Sequence, residues 1–110
     1  MGESGELLQG TLEMLVLKAL TLQPMHGWGI GHRIDQMARG AFTVPQGSLY
    51  PALQRMLRKG LIRSEWRVTE NKRRARYYII TRAGQARLEV ETAEWQRASR
   101  AVNAILRHAQ

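Results

Sequence analysis

The sequence predicts a mainly α-helical domain that carries one small β-hairpin and ends in a long helix. Three observations predict it. Apolar residues recur at three- and four-residue spacing in three separate segments before residue 60. The period then falls to two across "LIRSEWRV" and "ARYYII". After Thr81 the helical spacing returns, now with a seven-residue repeat.

The first helix is expected over residues 7–22. Leu8, Leu12, Leu15, Ala19 and Leu22 follow the spacing of one buried face, and Leu7, Met14 and Leu17 form a second stripe. A helix apolar on two sides needs two neighbours, and in a small domain the second can be another subunit. Gln23-Pro24 ends it, because a proline disfavours helical geometry in the residue before it. The second helix is expected over residues 26–38, with Trp28, Ile30, Ile34 and Met37 as its apolar residues. Its "GWGIG" has the wrong spacing for a dinucleotide fingerprint and follows a helix where a strand is required. The small residues are read instead as room for another helix. Arg39-Gly40 closes this segment.

The third helix lies in "QGSLYPALQRMLRKGLI". Leu49, Ala52, Leu53, Met56 and Leu57 make its core face, and Gly60 is placed to terminate it. Two starts are compatible with the sequence. With Ser48 as N-cap, Pro51 falls where its missing N–H costs nothing; with Pro45 at the first position, Pro51 lies a turn deeper. In the strand that follows, Ile62, Trp66 and Val68 share one side and Arg63, Glu65 and Arg67 the other. "TENKRRA" is the polar turn of the hairpin. Thr81 is the expected N-cap of the last helix. There Leu88, Trp95 and Val102 recur every seven residues, with Ala98 and Ile105 extending the seam. A lone projecting helix needs a partner, and a second copy of the chain is the simplest one.

Composition narrows the function. The chain has 110 residues, enough for one domain, and no cysteine, which excludes disulfides and thiolate metal sites. No apolar run approaches the roughly 18–20 residues of a membrane span. "MGESGELLQG" is acidic and polar, unlike a signal peptide, so the expected location is cytoplasmic. One aspartate and three histidines without partners at catalytic or metal-ligand spacing argue against an enzyme, a metal or a cofactor. The net charge of +8 is uneven: residues 1–54 carry −1, residues 55–87 carry +9 and residues 88–110 are neutral. A polyanion is therefore expected to meet the middle of the chain.

Helices followed by a basic hairpin are the parts of a winged helix-turn-helix, whose second motif helix enters the DNA major groove. Gly47, Ser48, Pro51, Gln54, Arg55 and Arg58, with Tyr50 at the border, occupy the face opposite the core. The fold class expected is thus mainly α with a small hairpin, residues 1–80 forming the winged helix-turn-helix and 81–110 a dimerisation helix. The alternative for such a charge is an RNA-binding or architectural module, but RNA modules stack bases on aromatics of an open sheet.

The blocks "LLQGTLEMLVLKAL", "MHGWGI", "GSLYPALQRMLRKGLI" and "RRARYYIITRAG" resemble, in this order, those of PadR-type transcriptional regulators. The resemblance spans roughly residues 7 to 88, and the length fits the short single-domain branch. It implies a dimeric winged-helix DNA-binding protein, usually a repressor, released by a small molecule or another signal; the partner expected for such a homodimer is double-stranded DNA carrying a short inverted-repeat operator. It places Ser48, Tyr50, Gln54 and Arg55 toward the DNA, Arg58 nearer the phosphates, and Lys72, Arg73 and Arg74 at the wing tip. Gln46 completes the recognition-helix set and Arg76 the wing set. Tyr78 and Thr81 match structural positions, and Trp28 stands where the family commonly has tyrosine. The expected dimer interface comprises Leu7, Met14, Leu17, Leu88, Trp95, Ala98, Val102 and Ile105; Trp95 is read first as interface packing, with packing plus a site for a small aromatic effector as the alternative.

Overall fold

In the computed structural model, residues 2–109 are described, with side chains from residue 11 onward. Helix α1 runs Gly2–Leu20, strand β1 Met25–His26, α2 Gly27–Met37, α3 Gln46–Arg58, β2 Ile62–Val68, β3 Arg74–Ile80 and α4 Arg82–Arg107. The strands form one antiparallel sheet in the order β1-β3-β2. The expected hairpin is therefore present but has a third member, since Met25 pairs with Tyr78 and His26 with Tyr77. Two residues are too short to read as a strand from sequence; β1 exists only through its pairing with β3.

The core gathers Leu12, Val16, Leu17, Ala19 and Leu20 of α1, Ile30 and Ile34 of α2, and Leu49, Leu53 and Met56 of α3, closed from the sheet side by Ile62 and Tyr78. Helix α1 ends two residues before the expected point. Its last turn tightens, with the Leu22 N–H bonding to Ala19 O at 3.3 Å, and Leu22 is left exposed. Leu17, expected in the second stripe, is 0% exposed within its own chain and has no surface left for another subunit. Leu7 and Leu8 lie outside the described side chains. Trp28 and Met37 are also exposed, so the buried side of α2 is Ile30 and Ile34, with Gly27 and Gly31 between helices. Gly27 does admit a neighbour: an added Cβ there would stand 2.6 Å from the Tyr50 hydroxyl of α3.

Asp35 ties α2 to the approach of α3, its Oδ1 accepting from the Val44 N–H at 2.9 Å. Helix α3 ends as its sequence predicts. Gly60 takes φ +73°, its N–H bonds to Leu57 O at 3.1 Å, and the Leu61 N–H reaches back to Met56 O at 3.0 Å. That turn is joined to the start of α4. The Thr81 hydroxyl lies 2.7 Å from Gly60 O and 2.9 Å from Leu61 O, and it accepts from the Gly84 N–H at 3.0 Å. A Cβ on Gly84 would overlap the Leu61 carbonyl oxygen. From this joint α4 leaves the body, packing against α1 through Leu88, and the molecule extends over 60 × 29 × 21 Å.

Candidate nucleic-acid interface

Helix α3 divides into four stripes at helical spacing. Leu49, Ala52, Leu53 and Met56 are buried. Opposite them Gly47, Pro51, Gln54 and Arg58 follow i, i+4, i+7 and i+11, and all four are exposed. Pro45 is the N-cap, its carbonyl accepting from the Ser48 and Leu49 N–H groups at 3.0 Å each. Gln46 is thus the first helical residue, and Pro51 sits in the deeper of its two expected settings. The carbonyl that Pro51 cannot serve belongs to Gly47, four residues back, which is exposed and open to water. An added Cβ at Gly47 would meet no atom within 4 Å. The helix therefore presents a flat, small-residue start followed by Gln54 and Arg58.

Arg55 departs from the expectation of a DNA-facing side chain. It lies one residue beyond Gln54, on the flank toward α1, and its Nε donates to Glu13 Oε2 at 3.1 Å. Lys59, one turn on, donates to Glu13 Oε1 at 3.3 Å. Ser48 shares this flank and is exposed. The opposite flank carries Gln46 and Tyr50, and Tyr50 leans over the start of α2.

The hairpin has two unlike faces, fixed by its register. Ser64 pairs with Tyr78, Trp66 with Arg76 and Val68 with Arg74 on one face; Glu65 pairs with Tyr77 and Arg67 with Ala75 on the other. On the first face Trp66 remains 58% exposed because the hairpin outreaches the body. The guanidinium carbons of Arg74 and Arg76 lie 5.1 Å and 5.9 Å from its ring centroid, and Arg76 Nε donates to Ser64 Oγ at 3.0 Å. On the second face Glu65 sits between Arg67 at 2.7 Å and Arg63 at 3.3 Å. Arg67 first, then Arg63, holds its carboxyl below the usual carboxylate range. The tip is closed by the Thr69 N–H to Arg73 O at 2.7 Å and the Lys72 N–H to Thr69 O at 2.9 Å, with Lys72 at φ +61°. Lys72 and Arg73 are exposed there. Tyr78, by contrast, is buried beneath the wing, and that burial raises its pKa.

Wing and helices enclose a cleft of about 670 Å³, lined by Gly27, Trp28, Tyr50, Arg73, Arg74 and Arg76. Three arginines thus line the same cleft as the start of α2 and Tyr50, a lining suited to an extended anion. Tyr50 and these arginines are among the residues expected to meet DNA, and they line one cleft. The sequence did not signal Trp66 as a platform for Arg74 and Arg76 or Glu13 as the partner of Arg55. Trp28 stacks on His32 with ring centroids 4.8 Å apart and planes 12° apart. Among the described residues no group of three His, Cys, Asp or Glu converges on a metal-sized space, and no helix is long and apolar enough to cross a membrane.

Away from this cleft, Trp95 of α4 is 44% exposed and lies between two grooves. One, of about 630 Å³, is lined by Met14, Leu15, Lys18, Leu88 and Thr92; the other, of about 240 Å³, by Thr11, Met14, Glu91, Glu94 and Ala98. Farther along, Ala98, Val102 and Ile105 are exposed, while Met14 and Leu88 are half-buried.

The profile of the transcriptional regulator PadR-like family matches residues 16–90. A PadR family transcriptional regulator from Eggerthella lenta superposes with a TM-score of 0.80 at 30% identity, covering 98% of this chain and 92% of that one. A PadR-like transcriptional regulator from Bacillus cereus gives 0.81 at 27% identity, covering 94% and 99%. An uncharacterised 37.1 kDa protein of a transposon in Streptomyces fradiae is 39% identical over 87 residues. That match takes in 79% of this chain but only 24% of the relative's length.

Proposed function

The chain belongs to the PadR-like family of transcriptional regulators, and on that premise we propose that it is a homodimeric repressor of an inverted-repeat operator. The observation that carries this reading is the cleft that Tyr50 of α3 and Arg73, Arg74 and Arg76 of the wing line together. Arg58, expected nearer the phosphates, shares the outward stripe of Gln54, so a duplex laid along α3 would bring both to base edges, with Gln46 and Ser48 on either flank of the entry. Tyr50 and the cleft arginines then take the phosphate backbone, and Lys72 reaches outward from the wing tip. Arg55 contributes through Glu13 instead of reading a base.

Dimerisation is assigned to α4, where Trp95, Ala98, Val102 and Ile105 form an apolar seam that the rest of the chain leaves open, with Met14 and Leu88 at its edge. Two copies so joined reach half-sites about 34–36 Å apart, one turn of DNA, or a multiple of it. The grooves beside Trp95 supply a place for a flat aromatic effector. Working on the chromosome, such a regulator acts in the cytoplasm.

Gel shifts over a salt series, with the upstream DNA of neighbouring genes against random duplex, test the reading. Expected is sequence-selective binding that weakens steeply with salt. Equal affinity for every duplex sinks the operator and favours an architectural role.

A further inference from the structure

Helix α3 and its C-cap carry three cations, Arg55, Arg58 and Lys59, and no acid. Two of the three are held by one carboxylate from another helix. Glu13 of α1, only 18% exposed, accepts from Arg55 Nε at 3.1 Å and from Lys59 Nζ at 3.3 Å. Arg55 and Lys59 are four apart and share a flank about 100° around the helix from Gln54. Their side chains remain 40% and 47% exposed, so both lie close to where a duplex on α3 would run. Pairs this open to solvent contribute little to stability. Their clearest effect is on where the two charges point.

We propose that Glu13 is a selectivity-determining residue: it holds Arg55 and Lys59 off the DNA backbone, so that random duplex gains no contact from them. Recognition is then left to Gln54 and Arg58, which carry sequence information, and not to charges that bind any phosphate. The inference rests on the DNA-binding reading above. Its physics is that of counterion release. Each phosphate neutralised on a duplex steepens the logarithmic salt dependence by about 0.9, with no preference for sequence. Releasing two cations therefore raises random-duplex affinity most at low salt and erodes the ratio of specific to non-specific binding. The device is visible only in three dimensions, since the acid and its first partner are 42 residues apart.

The test measures affinity for random and operator duplexes at several salt concentrations. It uses wild type, Glu13→Gln, Glu13→Asp, Arg55→Gln, Lys59→Gln, and Glu13→Gln combined with each cation variant. For Glu13→Gln, the salt slope on random duplex should steepen by between one and two. Its advantage over wild type should grow about tenfold between 200 and 50 mM salt. Arg55→Gln and Lys59→Gln should leave the wild-type slope unchanged, yet each should flatten the slope by about one in the Glu13→Gln background. Glu13→Asp, which keeps the carboxylate, should behave as wild type. A Glu13→Gln slope equal to wild type overturns the proposal. So does an Arg55→Gln variant that flattens the slope with Glu13 intact, because Arg55 would then already be on a phosphate. Should Glu13→Gln fail to fold, the single cation variants decide alone. Wild type that discriminates no sequence overturns the operator reading and with it the selectivity role of Glu13, while the variant slopes still decide whether Glu13 holds the two cations off the backbone; wild type that binds no duplex overturns both.

Discussion

The winged-helix body and helix α4 spend their apolar residues differently. Every buried hydrophobic side chain of the described chain falls between Leu12 and Tyr78, and α4 buries only Gly84. Yet α4 carries Val90, Trp95, Val102, Ile105 and Leu106, all exposed. In the body, apolar spacing is answered by other segments of the same chain. In α4 the same kind of spacing goes unanswered beyond Leu88, which is the pattern of a helix whose covering surface is on another molecule. One part of the hydrophobic pattern thus builds the fold, and the other is the part that the proposed dimer would cover.

Leu53→Ala should give the largest effect, a loss of about 2–5 kcal/mol in denaturant unfolding, because the side chain is fully enclosed. That loss should be the same at every protein concentration once dimer linkage is subtracted. Trp95→Glu sharpens the contrast from the other side. It should weaken self-association by at least about 2 kcal/mol, seen as monomer in sedimentation at concentrations where wild type pairs. Its far-ultraviolet dichroism should stay close to wild type, and a persisting dimer would move the pairing surface elsewhere. Gly84→Ala probes the boundary between the two regions. The added methyl meets the Leu61 carbonyl and should cost about 1–3 kcal/mol in thermal or denaturant unfolding.

The smallest expected effect concerns an exposed aromatic of the body. Trp66 holds Arg74 and Arg76 by stacking, so Trp66→Ala should reduce duplex affinity by about 0.5–1 kcal/mol per arginine. The salt slope should not change, because both charges remain; Trp66→Phe should recover most of the loss. If Trp66→Ala changed the oligomeric state instead, the division between body and α4 would fail.

Much of this was readable in the chain, and the parts that were not share a cause. The α3 core face, the Gly60 terminator and the Thr81 cap are local signals, and each stands where the sequence put it. Strand β1 and the Glu13 pairs depend on residues far along the chain, which no local pattern reports. Leu17 fails for a related reason. Two apolar stripes show that α1 has two neighbours, but not which stripe meets its own chain and which another surface. Trp66 alternates correctly for an inward-facing strand position, and only the length by which the hairpin outruns the body turns it to solvent.

The joint of Thr81 and Gly84 with the turn after α3 has a consequence for how such a protein can change over evolutionary time. A helix fixed at its root is a ruler with graduations. In the proposed dimer, the 26 residues of α4, about 39 Å at helical rise, set where the second reading head falls. Inserting one residue lengthens the ruler slightly but turns its far seam by about 100°, away from the partner. Insertions of seven or eleven residues return the seam to within about 20°. The gap between half-sites can therefore drift only in jumps, and an operator that acquires one extra base pair cannot be followed by a matching one-residue adjustment of the protein.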